Sequence, residues 1–103
     1  MSKKLALGAI LLATLSGHAV AKSTLTLYTS QPSEDAQMTV NAFEKAHPDI
    51  DVKWIRDGTT KLTARLQAEM AAGGAAPDVL LIADSVTMES LKQQDLLAAY
   101  ASP

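Results

Sequence analysis

Hydroxyl, amide and carboxylate side chains gather in three short stretches of this chain. They are Tyr28-Thr29-Ser30-Gln31, Asp57-Gly58-Thr59-Thr60 and Ala83-Asp84-Ser85. Each stretch follows a strand-like run and opens a helix-like one. A turn of that kind leaves the first N–H groups of the helix without partners and with partial positive charge. Hydroxyls beside such N–H groups add short-range donors, and the combination suits an oxyanion. Thr29, Ser30, Gln31, Gly58, Thr59, Thr60 and Asp84 are therefore the candidate ligand-binding residues. Helix capping alone would also account for the hydroxyls. Turn geometry alone would account for Gly58, which also permits close backbone approach.

Catalysis finds little footing in the same residues. No dinucleotide glycine fingerprint and no phosphate-loop pattern is present, and Gly73-Gly74 follows a helical run, the wrong context for either. His47 stands beside Pro48 at a helix end, where solvent is its natural partner, and no Ser has an evident base. Asp78 opens a strand and reads as a turn cap. Asp57 and Asp84 lie on separate turns, an ordinary placement in a chain with eleven acids. Trp54 alternates with core positions and reads as packing, and Met38, Met70 and Met88 read as core or surface filler rather than a metal site. No cofactor and no metal is called for, and no catalytic residue is assigned.

The elements that must position these turns follow from hydrophobic period. Thr24-Leu25-Thr26-Leu27-Tyr28 alternates with β-favouring residues and predicts a strand. Ser30-Gln31-Pro32-Ser33 signals a helix start that either Ser could cap, with Glu34 and Asp35 matching the positive helix end. Ala36, Val40, Phe43 and His47 share one face before Pro48 stops the helix. Ile50, Val52 and Trp54 mark a second strand. Thr59 or Thr60 would cap a second helix with a Leu62, Leu66 and Met70 stripe, ended by Gly73-Gly74. Val79-Leu80-Leu81-Ile82 reads as a strand buried on both faces. Asp84 or Ser85 caps a third helix carrying Met88 and Leu91. The order β-α-β-α-β-α with short connections predicts an α/β fold with a parallel sheet and right-handed crossovers. Ligands of such sheets bind beyond the carboxyl ends of the strands, where all three turns fall.

Composition and the amino terminus place the chain outside the cytoplasm. Lys3 and Lys4 precede an uncharged run from Leu5 to Leu15, and Ala19-Val20-Ala21 supplies a small-x-small site. That order predicts a signal peptide over residues 1–21, cleaved after Ala21. The apolar run is about half of the roughly 20 residues that span a bilayer. No Arg-Arg pair marks a twin-arginine route. The chain has no Cys, which removes a lipid anchor, a disulfide framework and a thiol nucleophile. A released protein in the periplasm is expected. The whole chain carries a net charge of −2, and loss of Lys3 and Lys4 makes the mature part more acidic. With no basic cluster, nucleic acid is a poor partner. Residues 22–103 form a small core for a domain without disulfides, so the segment reads as an incomplete part of a larger fold.

Longer stretches narrow the reading. Leu25-Thr-Leu-Tyr-Thr-Ser and Ala42-Phe-Glu-Lys-Ala-His-Pro-Asp-Ile-Asp-Val resemble the opening of family 1 extracellular solute-binding proteins. Arg56-Asp-Gly-Thr-Thr-Lys-Leu, Ala64-Arg-Leu-Gln-Ala-Glu and Pro77-Asp-Val-Leu resemble the branch holding ferric-ion, phosphonate and sugar-phosphate receptors. The resemblance spans residues 24–100. It implies a two-lobed periplasmic binding protein of type 2 that closes on its solute and delivers it to an ABC permease in the inner membrane. Residues 22–103 would then be the start of lobe one, and the receptor would be a monomer. Ferric-binding members use an acidic residue and often a His from lobe one. Pro32 stands where the His would be, and Asp84 lies one residue from the acidic position. Thr59-Thr60 is similar to the helix start that phosphonate and phosphate-ester receptors use. A small anionic solute is thus expected, with ferric ion as the alternative cargo and a small secreted α/β hydrolase as the alternative of another class.

Processing after Ala21 leaves Lys22 as the first residue of the exported protein. Amino-terminal sequencing of the exported species tests this, and a membrane-bound species with Met1 intact would refute it.

Overall fold

The computed structural model describes residues 21–74 and 76–103. The signal-peptide expectation therefore falls, save for Ala21, outside the described residues. Six elements run in the expected order: β1 (Ser23–Thr29), α1 (Ser33–Ala46), β2 (Ile50–Arg56), α2 (Thr59–Ala71), β3 (Val79–Leu81) and α3 (Ser85–Gln93). The strands form one parallel sheet in the order β2-β1-β3. Among the described residues no helix is long and apolar enough to cross a membrane.

β1 is central because it pairs with β2 along one edge and with β3 along the other, and its side chains alternate between the two faces. Leu25 and Leu27 face α1, whose buried Ala36 and Val40 carry the packing stripe. Tyr28 points the other way, toward α2. Its hydroxyl donates to Glu69 Oε2 at 2.6 Å, and the Arg65 guanidinium lies 5.5 Å from the ring centroid. Arg65 Nε also donates to Glu69 Oε1 at 2.8 Å. The Tyr28 hydroxyl first, and Arg65 second, hold the Glu69 carboxyl below its ordinary pKa. The same hydrogen bond, with burial second, raises that of Tyr28, so the phenol remains a donor.

α2 sits on this second face through Leu62 and Leu66, and α3 joins it through Leu91. α2 ends as its glycines predict. Gly73 has φ +70°, a left-handed value that Gly adopts without steric cost, and Gly74 N donates to Glu69 O at 2.8 Å. Asp78 links β3 to β1: its N–H donates to Thr26 O, and its Oδ2 accepts from Thr26 N. The turn reading of Asp78 thus becomes a specific tie that sets the start of β3.

One expectation about β3 is corrected. The strand ends at Leu81, and it is not buried on both faces: Val79 and Leu81 are each about two-fifths exposed. β3 lies at the sheet edge, on the side of β1 away from β2, and α1 packs chiefly toward β2. Val79 and Leu81 instead join Leu25, Leu27, Phe43 and Val52 around an open apolar concavity of about 160 Å³.

Leu62 has no exposed surface and Met38 is 70% exposed. Leu62→Ala should cost about 2–5 kcal/mol of unfolding free energy, whereas Met38→Ala should change it by at most about 0.5 kcal/mol. Denaturant unfolding of the two variants measures both. Equal midpoints would show that α2 is not seated on the sheet as described.

Candidate functional site

The carboxyl ends of the strands converge at Thr29, Arg56 and Leu81, which are register partners across the sheet. The loop after β1 leads to α1 on one face, and the loop after β3 leads to α3 on the other. Adjacent strands whose connections depart to opposite faces create a crevice at their carboxyl ends. Ser30 N donates to Leu81 O at 3.0 Å and Asp57 N to Thr29 O at 3.3 Å, so the loops after β1 and β2 are both fastened to the sheet at this edge.

The first loop is organised by Thr29, which is fully buried. Its hydroxyl accepts from Gln31 N at 3.1 Å and donates to Gln31 Oε1 at 3.2 Å. Gln31 Nε2 donates in turn to Thr39 Oγ1 at 3.2 Å. Thr29 and Gln31 thus shape the loop through each other, while Ser30 between them is half-buried at the edge.

The helix starts differ from the capping expected of them. Pro32 is the N-cap of α1 and Gly58 that of α2, and neither helix has a side-chain cap. Ser30 and Ser33 do not cap α1. Thr59 and Thr60 stand inside the first turn of α2 rather than before it, because the chain leaves β2 extended through Gly58, whose φ is −60° and ψ 148°. This φ is negative, so Gly58 serves no left-handed turn. Its N–H donates to Asp57 Oδ1 at 2.8 Å, which turns that carboxylate onto its own loop. The first turn of α2 holds no acid and carries Lys61, a cation where the helix dipole disfavours one.

Asp84 is the one expected cap that forms. Its Oδ1 accepts from Val86 N at 3.1 Å, and its Oδ2 accepts from the Thr87 hydroxyl. The Thr87 bond is the main reason the Asp84 carboxyl sits below its ordinary pKa. Thr60 and Asp84 come together with Thr63, Gln67 and Thr87 around a shallow depression of about 270 Å³. Ser30 and Gln31 lie apart from that depression, with Arg56. Among the described residues no group of three or more His, Cys, Asp or Glu is placed to hold a metal ion.

Arg56 is a residue of this edge that the candidate set read from the sequence does not contain. Its Nε donates to Gln31 O at 2.8 Å, tying the end of β2 to the loop after β1. A charged residue closing a strand just before an Asp-Gly turn was the available signal. Its reach to Gln31, 25 positions earlier, depends on the β1–β2 register and has no local trace.

A doubly wound parallel sheet with uncapped helix starts and hydroxyls at its switch point defines an α/β binding module. The chain belongs to a family of that kind: the model for bacterial extracellular solute-binding proteins matches residues 28–102. As a member it is the solute-binding component of an ABC-type importer, working in the periplasm or secreted, with a small-molecule ligand and an ABC permease as partners. No curated protein matches the chain.

The lowered carboxyl pKa of Asp84 gives its cap a direction with pH. The cap contributes stability above the unfolded Asp value of about 3.9, and loses it as pH falls through the lower folded value. Asp84→Asn should therefore show a smaller acid-side fall in melting temperature than the parent. Superimposed melting profiles across the acid range would show that the charge on this cap contributes nothing.

Proposed function

We propose that this protein captures a small oxyanion, a phosphonate or phosphate ester, in the periplasm and delivers it to its permease. One observation carries the reading. The start of α2 at the carboxyl edge has no side-chain cap and no acid, and it exposes Thr60 with Thr59 beside it. Unpartnered N–H groups and hydroxyls there suit a negatively charged, oxygen-rich ligand. Ser30 adds a hydroxyl from the loop after β1.

Ferric ion as cargo fits the edge less well. A ferric site needs several hard anionic ligands. Asp57 and Asp84 are the acids on these turns, and both already accept hydrogen bonds from their own turns. Asp84 would repel a plain anion, which favours a ligand that also carries an amine. Donors on a single edge meet a ligand from one side, so the reading includes a second lobe that closes over them. It includes, too, the cleavable signal peptide over residues 1–21, a monomeric receptor, and residues 22–103 as the start of the first lobe.

Calorimetric titration of the product of the complete gene with phosphonates, phosphate esters and ferric ion tests the assignment. Ser30→Ala and Thr60→Ala should each weaken anion binding about tenfold, or about 1.4 kcal/mol. Tight ferric binding with no response to phosphonates or phosphate esters, and no loss in either variant, would overturn it.

A further inference from the structure

We propose that Arg56 is the residue that reads the ligand's charge: its guanidinium pairs with the phosphonate or phosphate group and makes the receptor prefer the dianion. The inference rests on the oxyanion reading above and adds to it the specificity-determining cation.

Three observations carry it. Arg56 closes β2 as the register partner of Thr29, which places it at the carboxyl edge of the sheet. Its Nε–H is fixed on Gln31 O at 2.8 Å, and Gln31 is itself held by Thr29 and Thr39. The guanidinium therefore starts from a defined backbone anchor. The side chain is also free of a carboxylate: among the described residues the ion pairs are Lys22–Asp51, Arg65–Glu69 and Lys92–Glu89, and Arg56 is in none of them. The nearest acid in sequence, Asp57, turns onto Gly58 N.

A guanidinium anchored through Nε keeps its two terminal amino groups, four N–H donors in one plane. That fork matches two oxygens of a tetrahedral oxyanion, a geometry that Lys cannot reproduce. Arg65, the other arginine of the described residues, has its Nε on Glu69 and lies against Tyr28 on the α2 face. Arg56 is thus the arginine positioned for a ligand at this edge. Neutral N–H and hydroxyl donors orient an anion but discriminate weakly between charge states, because their interaction grows less steeply with ligand charge than that of a full cation.

The test uses the protein expressed from its complete gene and titrates 2-aminoethylphosphonate, methylphosphonate and glycerol 3-phosphate. Arg56→Gln should weaken binding of the best of these about tenfold to hundredfold, the range of a charged hydrogen-bonded contact. Arg56→Lys should fall between the two, since it keeps charge but not the fork. In the parent, affinity should rise as pH passes the second ionisation of the ligand, near pH 6 for a phosphate monoester. That rise should flatten in Arg56→Gln. A role confined to holding the Gln31 loop would instead lower the melting temperature and weaken binding equally on both sides of that ionisation. Binding by the parent with an unchanged Arg56→Gln profile overturns the role of Arg56 and leaves the oxyanion reading standing. Failure of the parent to bind any of the three overturns both.

Discussion

β1 is paired on both sides, and its last residue is where the double pairing has the most consequence. Thr29 is matched to Arg56 across one ladder and to Leu81 across the other. It is also the fully buried polar residue of the core, with its hydroxyl given to Gln31. A buried hydroxyl without a partner would be costly. Here its satisfaction and the shape of the β1–α1 loop are one requirement. The carboxyl edge is therefore a consequence of how the central strand ends. Asp57 is held by the Thr29 carbonyl, Arg56 by that of Gln31 two residues on, and Ser30 by that of Leu81, the ladder partner of Thr29.

The three helix starts divide their electrostatic tasks. α1 opens on Pro32 and meets its dipole with Glu34 and Asp35. α3 opens on Asp84, whose carboxylate satisfies Val86 N and the Thr87 hydroxyl. α2 has neither device and is loaded the opposite way by Lys61. Its stability comes from Leu62 and Leu66 on the sheet and from the Tyr28–Glu69–Arg65 contacts toward its other end. Local preference is relaxed at one end of the helix and met by packing at the other. Proteins commonly break local rules in this way where a ligand, rather than the fold, uses the groups left open.

The order and kind of all six elements were legible in the sequence, because hydrophobic period and turn residues are local signals. Alternation over Thr24–Tyr28, the Leu62, Leu66 and Met70 spacing and the Gly73-Gly74 stop each needed only neighbouring residues. What the sequence did not disclose depends on contacts between distant segments. A Ser or Thr near a helix start caps only if the chain enters at the right angle, and that angle follows from where β1 and β2 end in register. Hence Gly58 and Pro32 occupy the cap positions that hydroxyls seemed to claim. The burial of β3 was overestimated for a similar reason: a run of apolar residues reports what a strand prefers, and coverage is decided by the elements beside it. The Tyr28–Glu69 bond joins residues 41 positions apart, and the Arg56–Gln31 bond joins residues 25 apart. Neither has a periodic signature.

The outer side of β3 has a bearing on self-association. Among the described residues this edge has no strand beside it, and Val79 and Leu81 stand half-open along it. An uncovered, apolar strand edge is a template on which a second chain can add a strand of its own. Two features limit the template. The strand is three residues long, and Pro77, two positions before it, offers no N–H to extend the ladder. The brevity of β3 and the missing N–H of Pro77 thus leave room for only a few intermolecular ladder bonds along this edge, too few to seed polymer growth.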